Sequence, residues 1–335
     1  VNLHFPDGQK YDCVQCGRSC SYYGTIPVES RVVESLSPHP LGLRVIDSHG
    51  AAFDKREDGS YVMHMRAPQD PTCVFLNEEN LCSIHAEIGP QAKPVTCRQY
   101  PFQFTKTPEG LFIGASFFCT AIRQNHGRPL IDHAEDLLEL LPEAIIAEVP
   151  DPIPLDQDRT ISWQEYRALE RTFLQDMARQ GLNAATQALL LEQFQLSPEK
   201  LQTVLNVADF SALKLVLNLP PENDQAFAKN QPLNIPQSNF QGSWDQLIPD
   251  TTYNGQLEAW ARMYIHRKLL ILHRPLHHNL WTLALIPRLC RRLSRLWPYD
   301  HQFWTSLEQA ELLLGPRGRA TDALAQQFNW FLNAS

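Results

Sequence analysis

Hydrophobic and polar positions follow two rhythms along this chain. Up to about residue 126, short apolar runs are separated by turn signals. Residues 43–46, 61–65 and 111–115 read as strands, with turns at Asp58-Gly59 and Glu109-Gly110. One short helix is expected over 28–36, opened by Pro27 as a good first-turn residue. Beyond this region the apolar positions repeat at helical spacing. A helix over 131–141 precedes a proline-rich break at 149–154. Ser162, with Glu165 three residues on, forms a capping-box signature for a helix running to Arg179, and Gly181 is its stop signal. A helix over 184–194 follows. Ser197-Pro198 then opens another, with Leu201, Val204, Leu205 and Ala208 on one face. Residues 220–253 read as a long irregular connection. Leu257, Trp260, Ala261, Tyr264 and Ile265 restore the helical period, and Pro275, Pro287 and Pro298 are expected to separate the last helices.

These rhythms predict an α+β chain: a small irregular cysteine-rich metal or cluster domain over 1–126, a helix and proline-rich linker over 127–154, and an all-α domain over 155–335. The 335 residues suit two modest domains, and 43% hydrophobic residues give a real core. The net charge of −8 argues against a nucleic-acid binder. No run reaches the ~18 apolar residues of a membrane span, and no leader pattern opens the chain. The expectation is a cytoplasmic protein with no nucleic-acid or membrane partner and an oligomeric state left open. Nucleotide fingerprints of the G-x-G-x-x-G and G-x-x-x-x-G-K-[ST] types, the G-x-S-x-G elbow and a C-x-x-x-C-x-x-C run are all missing.

Cysteine placement changes the picture most. Seven of the eight cysteines lie between positions 13 and 119. In a reducing compartment such clustering points to metal or redox chemistry, and an odd seven pairs poorly into disulfides. Cys13-x-x-Cys16 lets two sulfurs reach one metal, with Gly17 suited to the tight turn behind them. Cys20, Cys73, Cys82, Cys97 and Cys119 complete the ligand pool, and thiolates select zinc or iron in a cluster. One four-thiolate site plus a second site or spare thiols is open. Cys290 stands apart and reads as a core or surface thiol.

The ordered set C-x-x-C-G-x-x-C, C-x-F-L…C-x-I-H and K-P-x-x-C-R-x-Y-P, with a further Cys, resembles the YkgJ-type cysteine-cluster family over about residues 10–125. The resemblance implies a zinc- or iron-chelating domain. The layout is also similar to that of the flagellin lysine N-methylases, whose helical extension is of comparable length. One residue departs from the pattern: the family shows adjacent cysteines at the end of the first motif, and here Ser19 precedes Cys20. Either Cys20 is the ligand of that pair, or a site is one ligand short.

Around this set, His85 is the best-placed histidine, ahead of His64, His126 and His133, and a surface or hydrogen-bonding role is the simpler reading for each. Arg98 could bind an anionic group of a cofactor or enter a structural ion pair. Tyr100-Pro101-Phe102 reads as packing. Arg288, Arg291, Arg292 and Arg295 read as a solvated helix face, and His273, His277 and His278 as a surface loop.

The expected function is metal binding on Cys13, Cys16, Cys20, Cys73, Cys82, Cys97 and Cys119, with an iron–sulfur cluster (4Fe-4S) preferred over zinc. One alternative is a redox enzyme or a protein-lysine N-methyltransferase using S-adenosylmethionine on a protein substrate, with catalytic residues unassigned. Another is a module for a protein partner in which the metal is purely structural.

Overall fold

A computed structural model describes residues 2–22, 26–217, 219–235, 241–242, 253–296, 306, 307, 310 and 314. The chain divides into two compact units, Val1–Glu148 and Val149–Ser335. Strands concentrate in the first and helices in the second, so the chain is α+β.

The first unit is built around the hairpin of Phe102–Thr107 and Gly110–Ala115. Strand Leu3–His4 pairs in parallel with Gly110–Ala115, and Ile146–Glu148 with Phe102–Thr107, which gives a four-stranded mixed sheet. Gly110 is needed here: at φ 133° its missing Cβ leaves room for the Asn2 carbonyl, which a Cβ would meet at 2.4 Å. Ile113 and Ala115 are fully buried in this sheet. Smaller sheets join Pro27–Val28 to Tyr61–Met63 and Phe53–Lys55, Met65–Ala67 to Asp70–Cys73, and Lys10–Tyr11 to Arg128–Pro129.

Two expectations for this unit change. The run 43–46 is not a strand but lies in the helix Pro40–His49. Pro40 opens that helix, the His39 side chain accepts the Leu41 amide, and Gly50 closes it at φ 84°. Leu41 and Val45, one helical turn apart, are its buried face. End signals and tertiary burial here override the β preference of Val45-Ile46. The expected helix over 28–36 begins only at Ser30, because Val28 pairs with Tyr61 in a strand.

In the second unit, helices Trp163–Gln180, Leu182–Phe194, Pro198–Leu217, Glu222–Ala228, Asn254–His266 and Leu276–Leu296 follow one another. The Glu222–Ala228 helix interrupts the connection expected to be irregular. Pro287 lies inside the last helix rather than between helices, and Pro298 falls outside the described residues.

The arginine run is the main correction. Arg291 and Arg292 are buried, not solvated. Asp209, fully buried, accepts from Arg292 at 3.0 Å and from Arg288 at 2.8 Å. Arg291 donates to the Asn183 and Asn254 side-chain carbonyls at 2.9 and 2.6 Å. The acidic partner comes from a helix some eighty residues upstream, so local sequence could not show it. His277 is also buried, with its ring against Phe194, rather than on a surface loop. Lys268 and Glu170 form a second buried pair at 2.9 Å, joined by Arg167.

Two outcomes follow for stability. The capping box is formed, with Ser162 Oγ accepting the Glu165 amide at 3.2 Å and Glu165 accepting the Ser162 amide at 2.7 Å. Ser162→Ala is expected to cost ~1 kcal/mol, read as a lower denaturant midpoint. Asp209→Ala leaves two guanidinium groups without their carboxylate and is expected to cost about 3–5 kcal/mol in the same measurement.

Candidate metal centre

All eight cysteines are free thiols. Those of the first unit fall into two neighbourhoods. The first gathers Cys20, Cys73, Cys82 and Cys97. Cys73 ends the strand Asp70–Cys73, paired with Met65, and is buried in an apolar cluster with Val74, Phe75, Ile84 and Met63. Cys20, Cys82 and Cys97 pack against that same cluster. Each is brought there by a local device. Cys20 sits on the short helix Arg18–Tyr22, which lies along the Cys73 strand. Cys82 is placed by a bridge to Leu76 and by the Ser83 amide donating to the Phe75 carbonyl at 2.8 Å. Cys97 lies on the helix Val95–Gln99, whose Val95 amide donates to the Glu29 side chain at 2.9 Å.

Burial dominates the electrostatics of this group. It pushes the Cys20 thiol up from 9.0 to about 11, with Cys82, Cys13 and Cys16 adding to it and Lys93 opposing, so Cys20 senses cysteines of both neighbourhoods. Cys97 is pushed up to about 12 by burial, with Cys20 and Cys82 adding and Lys93 opposing. Cys73, the most enclosed, is held higher still by burial, and Cys20, Cys97 and Cys82 add to it. Cys20, Cys73 and Cys97 are therefore held protonated at neutral pH.

The second neighbourhood gathers Cys13, Cys16 and Cys119. Cys13 and Cys16 are exposed and Cys119 is buried. Cys16 Sγ lies 3.4 Å from the hydroxyl of Thr120, the residue after Cys119. Cys13 Sγ accepts the Gln15 amide at 3.4 Å, and the segment is tied down by the Asp12 amide donating to the His126 carbonyl at 2.9 Å. Burial raises the Cys119 thiol, and Cys16 and Cys13 raise it further. Two phenols line this group. Tyr11 is raised by burial and then by Cys13 and Cys119. Tyr100 is raised by burial and then by Cys119.

Among the described residues, no three His, Cys, Asp or Glu side chains converge at metal-ligating distance. The histidines stand aside: His64 pairs with Asp54 at 2.9 Å, His133 meets the Tyr11 carbonyl at 2.8 Å, and His85 and His126 are exposed. Arg98 donates to Gln91 at 2.6 Å and to Glu143 at 2.7 Å, the ion-pair arrangement. The residues that sequence reasoning missed are Tyr11, which directly precedes Asp12-Cys13, and Tyr100, which was read only as packing. Their proximity to the motifs was the available signal.

Residues 12–115 match the CxxCxxCC family, described as "Putative zinc- or iron-chelating domain". That stretch, which holds six of the seven cysteines of the first unit, is similar to the family. No curated protein and no solved structure matches the chain. Among the described residues no helix is long and apolar enough to cross a membrane.

The raised thiols give a pH dependence. The folded metal-free protein holds thiol protons that the unfolded chain releases above about pH 9, so stability falls as pH rises from about 9 towards 12. Denaturant midpoints of metal-free protein are expected to be lower near pH 10 than near pH 8. Cys97→Ala is expected to flatten that slope, and an equal slope in both proteins would show the thiols are not its source.

Proposed function

We propose that the first unit is a metal centre in which Cys20, Cys73, Cys82 and Cys97 hold one group, with Cys13, Cys16 and Cys119 as a second ligand set. The observation that carries this reading is the packing of four thiols from separate segments on one apolar cluster. The donor set suits the class: four thiolates satisfy either zinc or an iron–sulfur cluster. Iron–sulfur is the reading preferred here. Such a group would supply one-electron transfer when bound, whereas zinc would be structural.

What the chain contributes is enclosure and timing. Cys20, Cys73 and Cys97 cannot hold thiolate charge in their buried places unless a cation offsets it. Metal entry therefore expels thiol protons, and affinity rises with pH. The segments around 20, 73–82 and 97 share little regular structure with one another, so a metal bridging them adds directly to folding stability. Lys93, near Cys20 and Cys97, tempers the negative charge of the liganded set.

Anaerobic purification with metal analysis and a visible spectrum tests the reading. A brown protein with about four Fe per chain is expected, while colourless protein with stoichiometric Zn would replace iron by zinc. Protein that folds without metal and has seven freely reactive thiols would sink the reading. Cys97→Ser is expected to empty the first site. Removal of metal held at about 1,000 times its dissociation constant is expected to cost ~4 kcal/mol of stability.

A further inference from the structure

One surface of the first unit takes no part in holding a metal. Among the described residues seven large apolar side chains are exposed, and four of them fall in one short stretch: Ile131, Leu138, Ile145 and Ile146, each between 41 and 59% exposed. Single exposed apolar residues are ordinary, whereas a group rimmed by polar residues marks a contact surface. The 3-10 turn Leu130–His133 runs directly into the helix Ala134–Leu140. Ile131 and Leu138 are thus about 40° apart round the axis and about 12 Å apart along it. His133, Leu137 and Leu140 take the buried face. A turn, in which the Ala144 amide donates to the Leu141 carbonyl at 3.2 Å, then leads the chain to Ile145.

The rim is acidic. Between 131 and 148 stand six Asp or Glu and no Lys or Arg. Glu143, Glu148 and Asp136 meet Arg98, Lys106 and Arg128 at 2.7, 2.9 and 3.8 Å. Asp132, Glu135 and Glu139 are exposed and have no ion-pair partner among the described residues. They lie about 60–100° beyond Leu138, on the side away from the buried face. The surface is also held in shape. Gln99, buried, donates to the Ile145 carbonyl at 2.9 Å and accepts the Ile145 amide at 2.7 Å. Ile146 opens the outer strand of the four-stranded sheet. A partner therefore meets residues already ordered, which lowers the entropy cost of docking.

We propose that residues 131–146 form a docking surface for a basic amphipathic segment of another protein. Its apolar side chains would cover Ile131, Leu138, Ile145 and Ile146, and its lysines or arginines would meet Asp132, Glu135 and Glu139. Charge selects this occupant. A second copy in a symmetric contact would set the same acids against one another. An anionic membrane or a nucleic acid would be repelled in the same way. This goes beyond the metal-centre reading and stands without it.

The test is fluorescence anisotropy with the full chain and a labelled 14-residue amphipathic peptide of leucine and lysine. Wild-type protein should bind it, less tightly as salt is raised, and should bind a leucine–glutamate counterpart at least about tenfold less tightly. Ile131→Ser combined with Leu138→Ser should weaken binding of the lysine peptide at least about tenfold, and so should Glu135→Gln combined with Glu139→Gln. Glu57→Gln combined with Glu78→Gln removes as much charge from exposed positions elsewhere in the unit and should bind as wild type. Equal affinity in all four proteins would overturn the proposal, as would a wild-type chain that does not distinguish the two peptides. A wild-type dimer in sedimentation that the serine pair dissolves would overturn it in favour of a second copy. Binding to phosphatidylglycerol vesicles that the serine pair abolishes would overturn it in favour of a membrane. If the serine pair misfolds by circular dichroism, the glutamine pair and the glutamate peptide still decide.

Discussion

The first unit depends on the cost of placing thiolate charge inside an apolar cluster. Cys73 lies in the core with Phe75 and Ile84, and Cys20, Cys82 and Cys97 border it. Burial there holds the Cys20, Cys73 and Cys97 thiols protonated. Among the described residues no three of the metal-ligating side chains converge to ligand distance. A cation held there, as proposed above, would displace the protons and join the sulfurs through one centre. Local backbone devices do the preparatory work, including the Leu76–Cys82 bridge and the ladder partner of Cys73. The metal then joins segments that the sheets leave unconnected.

Cys20 lies on the five-residue helix Arg18–Tyr22 and packs against the apolar cluster around Cys73. Gly17 sets this helix in place. At φ 65° it turns the chain so tightly against Asn80 that a Cβ would sit 2.7 Å from the Asn80 side-chain oxygen. Asn80 belongs to the loop that leads to Cys82, so the turn after Cys16 also fixes the distance between the two motifs.

Sequence carried local signals faithfully and long-range ones poorly. The capping box at Ser162, the stop at Gly181 and the buried face of Leu201, Val204, Leu205 and Ala208 all depend on residues within one or two turns, and all are present. The cysteine order also reads directly, because motif spacing is local. The arginines of the last helix were misread because Asp209 is distant in sequence and packs against them only in the folded chain. Residues 43–46 were misread because Val45-Ile46 favours a strand only until Pro40, His39 and Gly50 are weighed as helix ends. The packing of Cys20, Cys73, Cys82 and Cys97 on one apolar cluster was not legible, since spacing does not reveal which way Cys20 points.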